Sequence, residues 1–205
     1  MKTILLVLLI AFALSLCKLS GKKEDSSSNR PAGQNPSNRA TEPAKPTSEQ
    51  AAAVAEGKEV KWERQGMSWT IPSDWAEQAN DAYMFMMRSP GAGGASLIVN
   101  VSPMDDGYPI ESAIQAQFQQ AENRAKNGQV DEVKWVEIDG VKGVQFREAN
   151  PERADGSRRL QWMAYRKYTG QIQLINLMLA SQGKDFERHR DVMYGILYSM
   201  KVAHR

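Results

Sequence analysis

The sequence predicts an α+β domain, a mainly antiparallel sheet with helices on both faces (an α/β/α sandwich). Three observations predict it. Apolar residues alternate with polar ones in short runs that meet at glycine turns. Two other segments carry their apolar residues at helical spacing. One run, residues 83–88, is apolar on both faces, as in a strand covered on two sides.

The elements follow in order. Val60 and Trp62, then Met67, Trp69 and Ile71, alternate with polar residues on either side of Gly66, which reads as a hairpin. Pro72 stops the second strand, because proline leaves the ladder. Residues 83–88 form the next strand, 89–94 a glycine-rich turn, and 97–101 a further strand. Pro109 can open a helix, where its missing N–H costs nothing. Ile110, Ile114, Phe118, Ala121 and Ala125 then share one face, and Asn127-Gly128 ends it. Asp139-Gly140 joins residues 133–138 to 141–148 as a hairpin. Thr169-Gly170 joins 160–168 to 171–180 in the same way. Asp185 caps a final helix whose inner stripe is Phe186, Met193, Ile196, Leu197 and Met200. Hairpins dominate, so the sheet should be mainly antiparallel.

The chain divides into three parts. Residues 1–17 have the form of an export signal: Lys2, an apolar run over 4–14, then Ser15-Leu16-Cys17. The run is short of the roughly 20 residues that span a bilayer. Cys17 is the only cysteine. Leu14-Ser15-Leu16-Cys17 resembles the lipobox of bacterial lipoproteins, with Leu16 where a small residue is usual. The resemblance implies lipid attachment at Cys17. Cleavage after Ala11-Phe12-Ala13 is the alternative. An exported lone thiol has no internal disulfide partner, which favours acylation. Residues 18–57 are polar, with Pro31, Pro36, Pro43 and Pro46, and bury too little to offset their ordering entropy, so a disordered linker is expected. Residues 58–205 hold all five tryptophans and have the length of one domain. They carry 19 Lys and Arg against 19 Asp and Glu. A neutral domain gives no electrostatic case for nucleic acid.

The segment Met67-Ser68-Trp69-Thr70-Ile71-Pro72-Ser73-Asp74-Trp75 resembles the strand–Pro–x–x–Trp opening of the PsbP/Mog1-like family. The ending is similar too: the Tyr168-Thr169-Gly170 turn, Phe186, and Ile196-Leu197-Tyr198-Ser199-Met200-Lys201-Val202. The resemblance covers residues 58–203. It implies an α/β/α sandwich and a mostly non-enzymatic role, since members include an extrinsic photosystem subunit, a Ran-GTPase partner and bacterial lipoproteins. No binding residue carries over.

Motifs for chemistry are sparse. The two histidines, His189 and His204, form no metal-ligand pattern, and no G-x-S-x-G elbow occurs. No cofactor or metal is expected and no catalytic residue is assigned. Gly91-Ala92-Gly93-Gly94 leads into a strand rather than a helix N-terminus, so it reads as a turn, not a phosphate cradle. Met84, Met86 and Met87 could offer thioethers to copper(I), but core filling is the simpler account. Asp105-Asp106 reads as a solvated turn. Arg147, Arg153, Arg158, Arg159, Arg166 and Lys167 cluster in sequence. Of these, Arg153, Arg158 and Arg159 are the candidate contacts for an anion or a partner, although interleaved acids also suit an ordinary exposed hairpin.

The sequence therefore points to a non-catalytic binding or scaffold domain of the bacterial cell envelope. It would be exported, membrane-anchored through N-terminal lipid, and set against an envelope protein partner, with no nucleic acid. The alternatives are a hydrolase using scattered carboxylates and a small-molecule carrier with an apolar pocket.

Overall fold

The computed structural model describes residues 41–203. The leader, Cys17 and His204 lie outside the described residues. The strands are β1 (Glu42–Pro43), β2 (Lys58–Trp62), β3 (Met67–Ile71), β4 (Ala76–Asn80), β5 (Met84–Arg88), β6 (Ser96–Met104), β7 (Val130–Ile138), β8 (Val141–Glu148), β9 (Ser157–Tyr168), β10 (Gln171–Gln182) and β11 (Lys201–Val202). The helices are α1 (Ser48–Ala52), α2 (Ile110–Lys126) and α3 (Gly183–Tyr198), with a short 3-10 turn at Glu63–Gln65.

A large sheet runs in the order β1-β7-β8-β9-β10-β6-β5-β4, and a small one in the order β11-β3-β2. Every pairing is antiparallel except β1 on β7. Two turns expected from sequence have positive φ at both central residues: Asp139 (48°) with Gly140 (81°), and Thr169 (49°) with Gly170 (81°). That backbone twist matches the flanking strands and fixes both registers.

The α+β class holds, with cover on both faces. On one face lie α3, α1 and the small sheet. Their main core buries Trp62, Trp69, Phe85, Leu97, Leu160, Trp162, Leu177, Phe186 and Ile196. Phe85 stacks on Trp69 at 5.3 Å and on Trp62 at 5.9 Å. On the other face α2 packs on β7, β8 and β9 through Ile114, Phe118 and Ala121. Phe118 stacks on Trp135 at 4.7 Å.

Four details depart from the sequence reading. Residues 42–54 are ordered, although expected in the linker: β1 pairs with β7, α1 packs on α3, and Val54 enters the core. A capping box explains α1, because Thr47 Oγ1 accepts from the Gln50 N–H and the Gln50 side chain accepts from the Thr47 N–H. Strand β4 is an edge strand of mostly exposed residues, so it carries no apolar alternation to read. Helix α3 begins at Gly183 with Gln182 in the cap position, because β10 runs directly into it; Asp185 sits in the first turn and pairs with Arg188. Finally, β5 is not covered on both sides. Phe85 and Met87 fill the core, whereas Met84 and Met86 stay half-buried on the opposite face. In the sheet register Met86 shares a row with Ile98 and Met178. Only Met87 of the methionine trio is core filler.

Candidate functional site

The sequence of β7 and β8 builds the site. A bulge in the β7–β8 pairing falls between Val130 and Glu132. An extra residue at a bulge re-aims the side chains beside it. Asp131 and Glu132 consequently both reach partners on the α3 side of the sheet. Lys134, Gln145 and Arg147 join them, while Trp135, Val144 and Phe146 pack under α2.

These groups line an open cleft of about 430 Å³. One wall is the N-terminal strap, with Lys45, Thr47 and Gln50; the other is α3, with Arg190, Asp191, Tyr194 and Tyr198. Glu132, Lys134 and Arg147 form the floor. The Ala44 N–H, donating to the Glu137 carbonyl at 2.7 Å, and the β1–β7 pairing hold the strap in place.

The floor is a closed hydrogen-bond network. Glu132 Oε1 accepts from Gln145 Nε2 at 2.5 Å and lies 3.4 Å from Lys134 Nζ. Its Oε2 accepts from the Tyr194 hydroxyl at 2.9 Å and lies 3.5 Å from Arg147 Nη1. The Tyr198 hydroxyl donates to Gln145 Oε1 at 2.9 Å, so this fully buried amide is satisfied at both ends. Burial pushes the Tyr194 phenol well above the ordinary tyrosine range, and the Glu132 charge pushes it further. Burial opposes the charge on Lys134, yet Tyr198 and Glu132 outweigh it and the ammonium is held above its usual range.

The candidate arginines do not converge. Arg158 is buried on the α3 face, where it donates to Asp131 and Glu187 at 2.7 Å each and to the Glu148 carbonyl at 2.8 Å. Its guanidinium lies over the Phe186 ring at 4.4 Å. Arg159, its neighbour on the strand, turns to the α2 face and shares Glu148 with Arg124. Arg153 sits in an exposed loop with Asp155. Strand alternation alone separates 158 from 159. His189 Nε2 lies 3.2 Å from the Gly93 carbonyl and ties the glycine turn to α3. No cluster of three or more His, Cys, Asp or Glu suited to a metal occurs among the described residues.

Sequence reasoning missed Lys45, Thr47, Glu132, Gln145, Tyr194 and Tyr198. Thr47-x-x-Gln50 was a legible signal, since that spacing marks a helix start. Tyr194 and Tyr198 are four apart beside the inner stripe of α3, which sets both on one flank. Gln145 had no local signature; its role depends on a neighbour 53 positions away.

No family model matches the chain, and no curated protein matches it significantly. Solved structures do match. LpqN of Mycobacterium tuberculosis, involved in cell envelope biogenesis, is similar with a TM-score of 0.54 at 10% identity, over 72% of this chain and 86% of that one. A cyanobacterial PsbP (CyanoP) of Synechocystis sp. PCC 6803 matches with a TM-score of 0.47 at 14% identity, over 71% and 92%. The Ran-binding protein Mog1p of Saccharomyces cerevisiae matches with a TM-score of 0.41 at 12% identity, over 71% and 95%. PsbP and Mog1p structures are thus among the matches, as the sequence resemblance implied, and the likeness is one of fold alone.

Proposed function

We propose that this protein is a non-catalytic binding module of a bacterial cell envelope, exported, tethered to a membrane by lipid on Cys17, with the cleft between strap and α3 as its ligand seat. The ligand would be another envelope protein or an envelope component. One observation carries the reading. The one acid of the cleft floor is already committed, because both Glu132 oxygens have donors, and Asp131 beside it holds Arg147 and Arg158. A general acid or base must be within reach of a reacting proton. A fixed floor under open rim groups suits recognition instead. A hydrolase needs a second carboxylate convergent with the first, whereas the other acids of the cleft, Glu49 of α1 and Asp191 of α3, sit on its two walls, Asp191 paired with Arg190. A carrier needs an apolar pocket, whereas this cleft is lined largely by charged and hydroxyl groups. The fold likeness to LpqN supports an envelope setting. No helix among the described residues is long and apolar enough to cross a membrane.

The test is photo-cross-linking in the native envelope, with a photoreactive residue at Glu49, exposed on the α1 wall of the cleft, and, as control, at Asn127 at the end of α2. A defined adduct at position 49 and none at 127 supports the seat. Equal or absent adducts contradict it. Metabolic palmitate labelling tests the anchor separately: label lost in Cys17→Ser supports it, and an unlabelled wild type refutes it.

A further inference from the structure

A pocket of about 290 Å³ opens on the other face of the large sheet from the cleft, under the first turns of α2. Glu111, Ser112, Ile114 and Gln115 of α2, Trp135 of β7 and Lys142 of β8 line it. Glu111 and Gln115 are four apart and share a helix face, and Ile114 beside them packs into the core under α2. Trp135 is 5% exposed, and Phe118 stacks on its indole at 4.7 Å. Lys142 precedes Val144 by two on β8 and so lies on the same sheet face. Its Nζ stands 4.6 Å from the centroid of that indole.

Two charges of opposite sign line this pocket, and neither is met by protein. Glu137 stands opposite Lys142 in the strand register, yet the ammonium leans over the indole and forms no ion pair among the described residues. A cation–π contact at an exposed site is a weak attraction and leaves the charge whole. Glu111 forms no ion pair among the described residues either, with Lys142 or with any other cation. In the cleft beside α3, by contrast, Glu132 already lies within 3.5 Å of both Lys134 and Arg147. On the pocket wall Gln115 Nε2 meets no acceptor among the described residues, so no protein bond has to break for that amide to turn toward a guest. A lone exposed charge is commonplace. Opposite charges kept apart in one pocket select a guest that carries both signs, since a simple anion would meet Glu111 and a simple cation would meet Lys142.

We propose that this pocket binds a small zwitterion of the amino-acid type, its carboxylate toward Lys142, its ammonium toward Glu111, and its carbon frame against Ile114 and Trp135. The volume suits such a guest and is small for a drug-sized one. This seat is independent of the cleft beside α3.

The test is an NMR titration of the nitrogen-15-labelled full chain with glycine, β-alanine and γ-aminobutyrate, whose two charges lie progressively further apart, at constant ionic strength. Acetate and methylammonium, with one charge each, are the controls. The readouts are the indole N–H resonance of Trp135 and the side-chain amide resonances of Gln115. At least one zwitterion should shift both along a saturable curve, and the controls should not. Lys142→Met, which keeps an apolar stem over the indole, and Glu111→Gln should each weaken that zwitterion at least about tenfold, the loss of one charge-assisted hydrogen bond. Both variants replace exposed side chains that form no ion pair among the described residues, so both should keep the wild-type fold. Acetate or methylammonium binding as tightly as any zwitterion, no saturable shift with any zwitterion, or unchanged affinity in both variants would overturn the site.

Discussion

Gly195 of α3 lies against the backbone carbonyl of Gln50 in α1, so closely that a methyl group there would collide with the carbonyl oxygen and stand 3.0 Å from Val54 Cγ1. A glycine inside a helix is costly by itself, about 1 kcal/mol relative to alanine. The close approach of the strap explains it. Gly195→Ala therefore sets a helix gain against a clash with backbone, and the clash, at about 1–3 kcal/mol, should win. The variant should show faster hydrogen exchange over residues 48–57 while the amides of β9 and β10 keep their protection. Unchanged exchange in the strap would show that the contact is not what holds it.

Arg158 and Arg153 should behave oppositely. Arg158→Met strips a buried cation from Asp131 and Glu187, each of which keeps a second arginine. The cost should lie near the low end for a broken buried pair, about 3 kcal/mol by denaturant unfolding. Arg153, 82% exposed at its side chain, should change stability by less than about 0.5 kcal/mol when replaced by alanine.

Tyr194 should set an alkaline limit. In the unfolded chain its phenol ionises near 10.0, whereas in the fold it keeps its proton to higher pH. The unfolded state then binds fewer protons, so stability falls as pH rises above about 10. Tyr194→Phe should lose that part of the fall. At neutral pH it should also cost about 1–3 kcal/mol, since Glu132 loses a donor.

Glu148 should act at the other end of the scale. Burial raises its carboxyl, but Arg159 and Arg124 together outweigh burial and hold it below its ordinary 4.5. Its contribution is therefore present above pH 4.5 and is lost as pH falls through the lower folded value. Urea midpoints of Glu148→Gln, followed from pH 6 to 3, should fall less steeply than those of the wild type.

Period-two runs and two type I′ turn signals were enough to place β7–β10, because one residue of slip would expose a whole buried face. Helix α2 was equally legible from Ile114 and Phe118. The strap was not, because it has few large apolar residues and is held by a cap, a two-residue pairing and one glycine on a distant helix. The site was less legible still. Arg158 and Arg159 look alike in sequence, yet the pleat sends them to opposite faces. Glu132 reaches the cleft only because a bulge precedes it, and an irregular pairing has no periodic signature.

Capture of envelope material by rim-charge variants tests the ligand seat most directly. Lys45→Glu combined with Arg190→Glu reverses two exposed charges of the cleft and leaves Gln145, Tyr194 and Tyr198 intact. The combined variant should fold with nearly the wild-type melting temperature and lose the ligand that the wild type retains from its native envelope. Undiminished retention by the folded variant would contradict the cleft as the seat of binding.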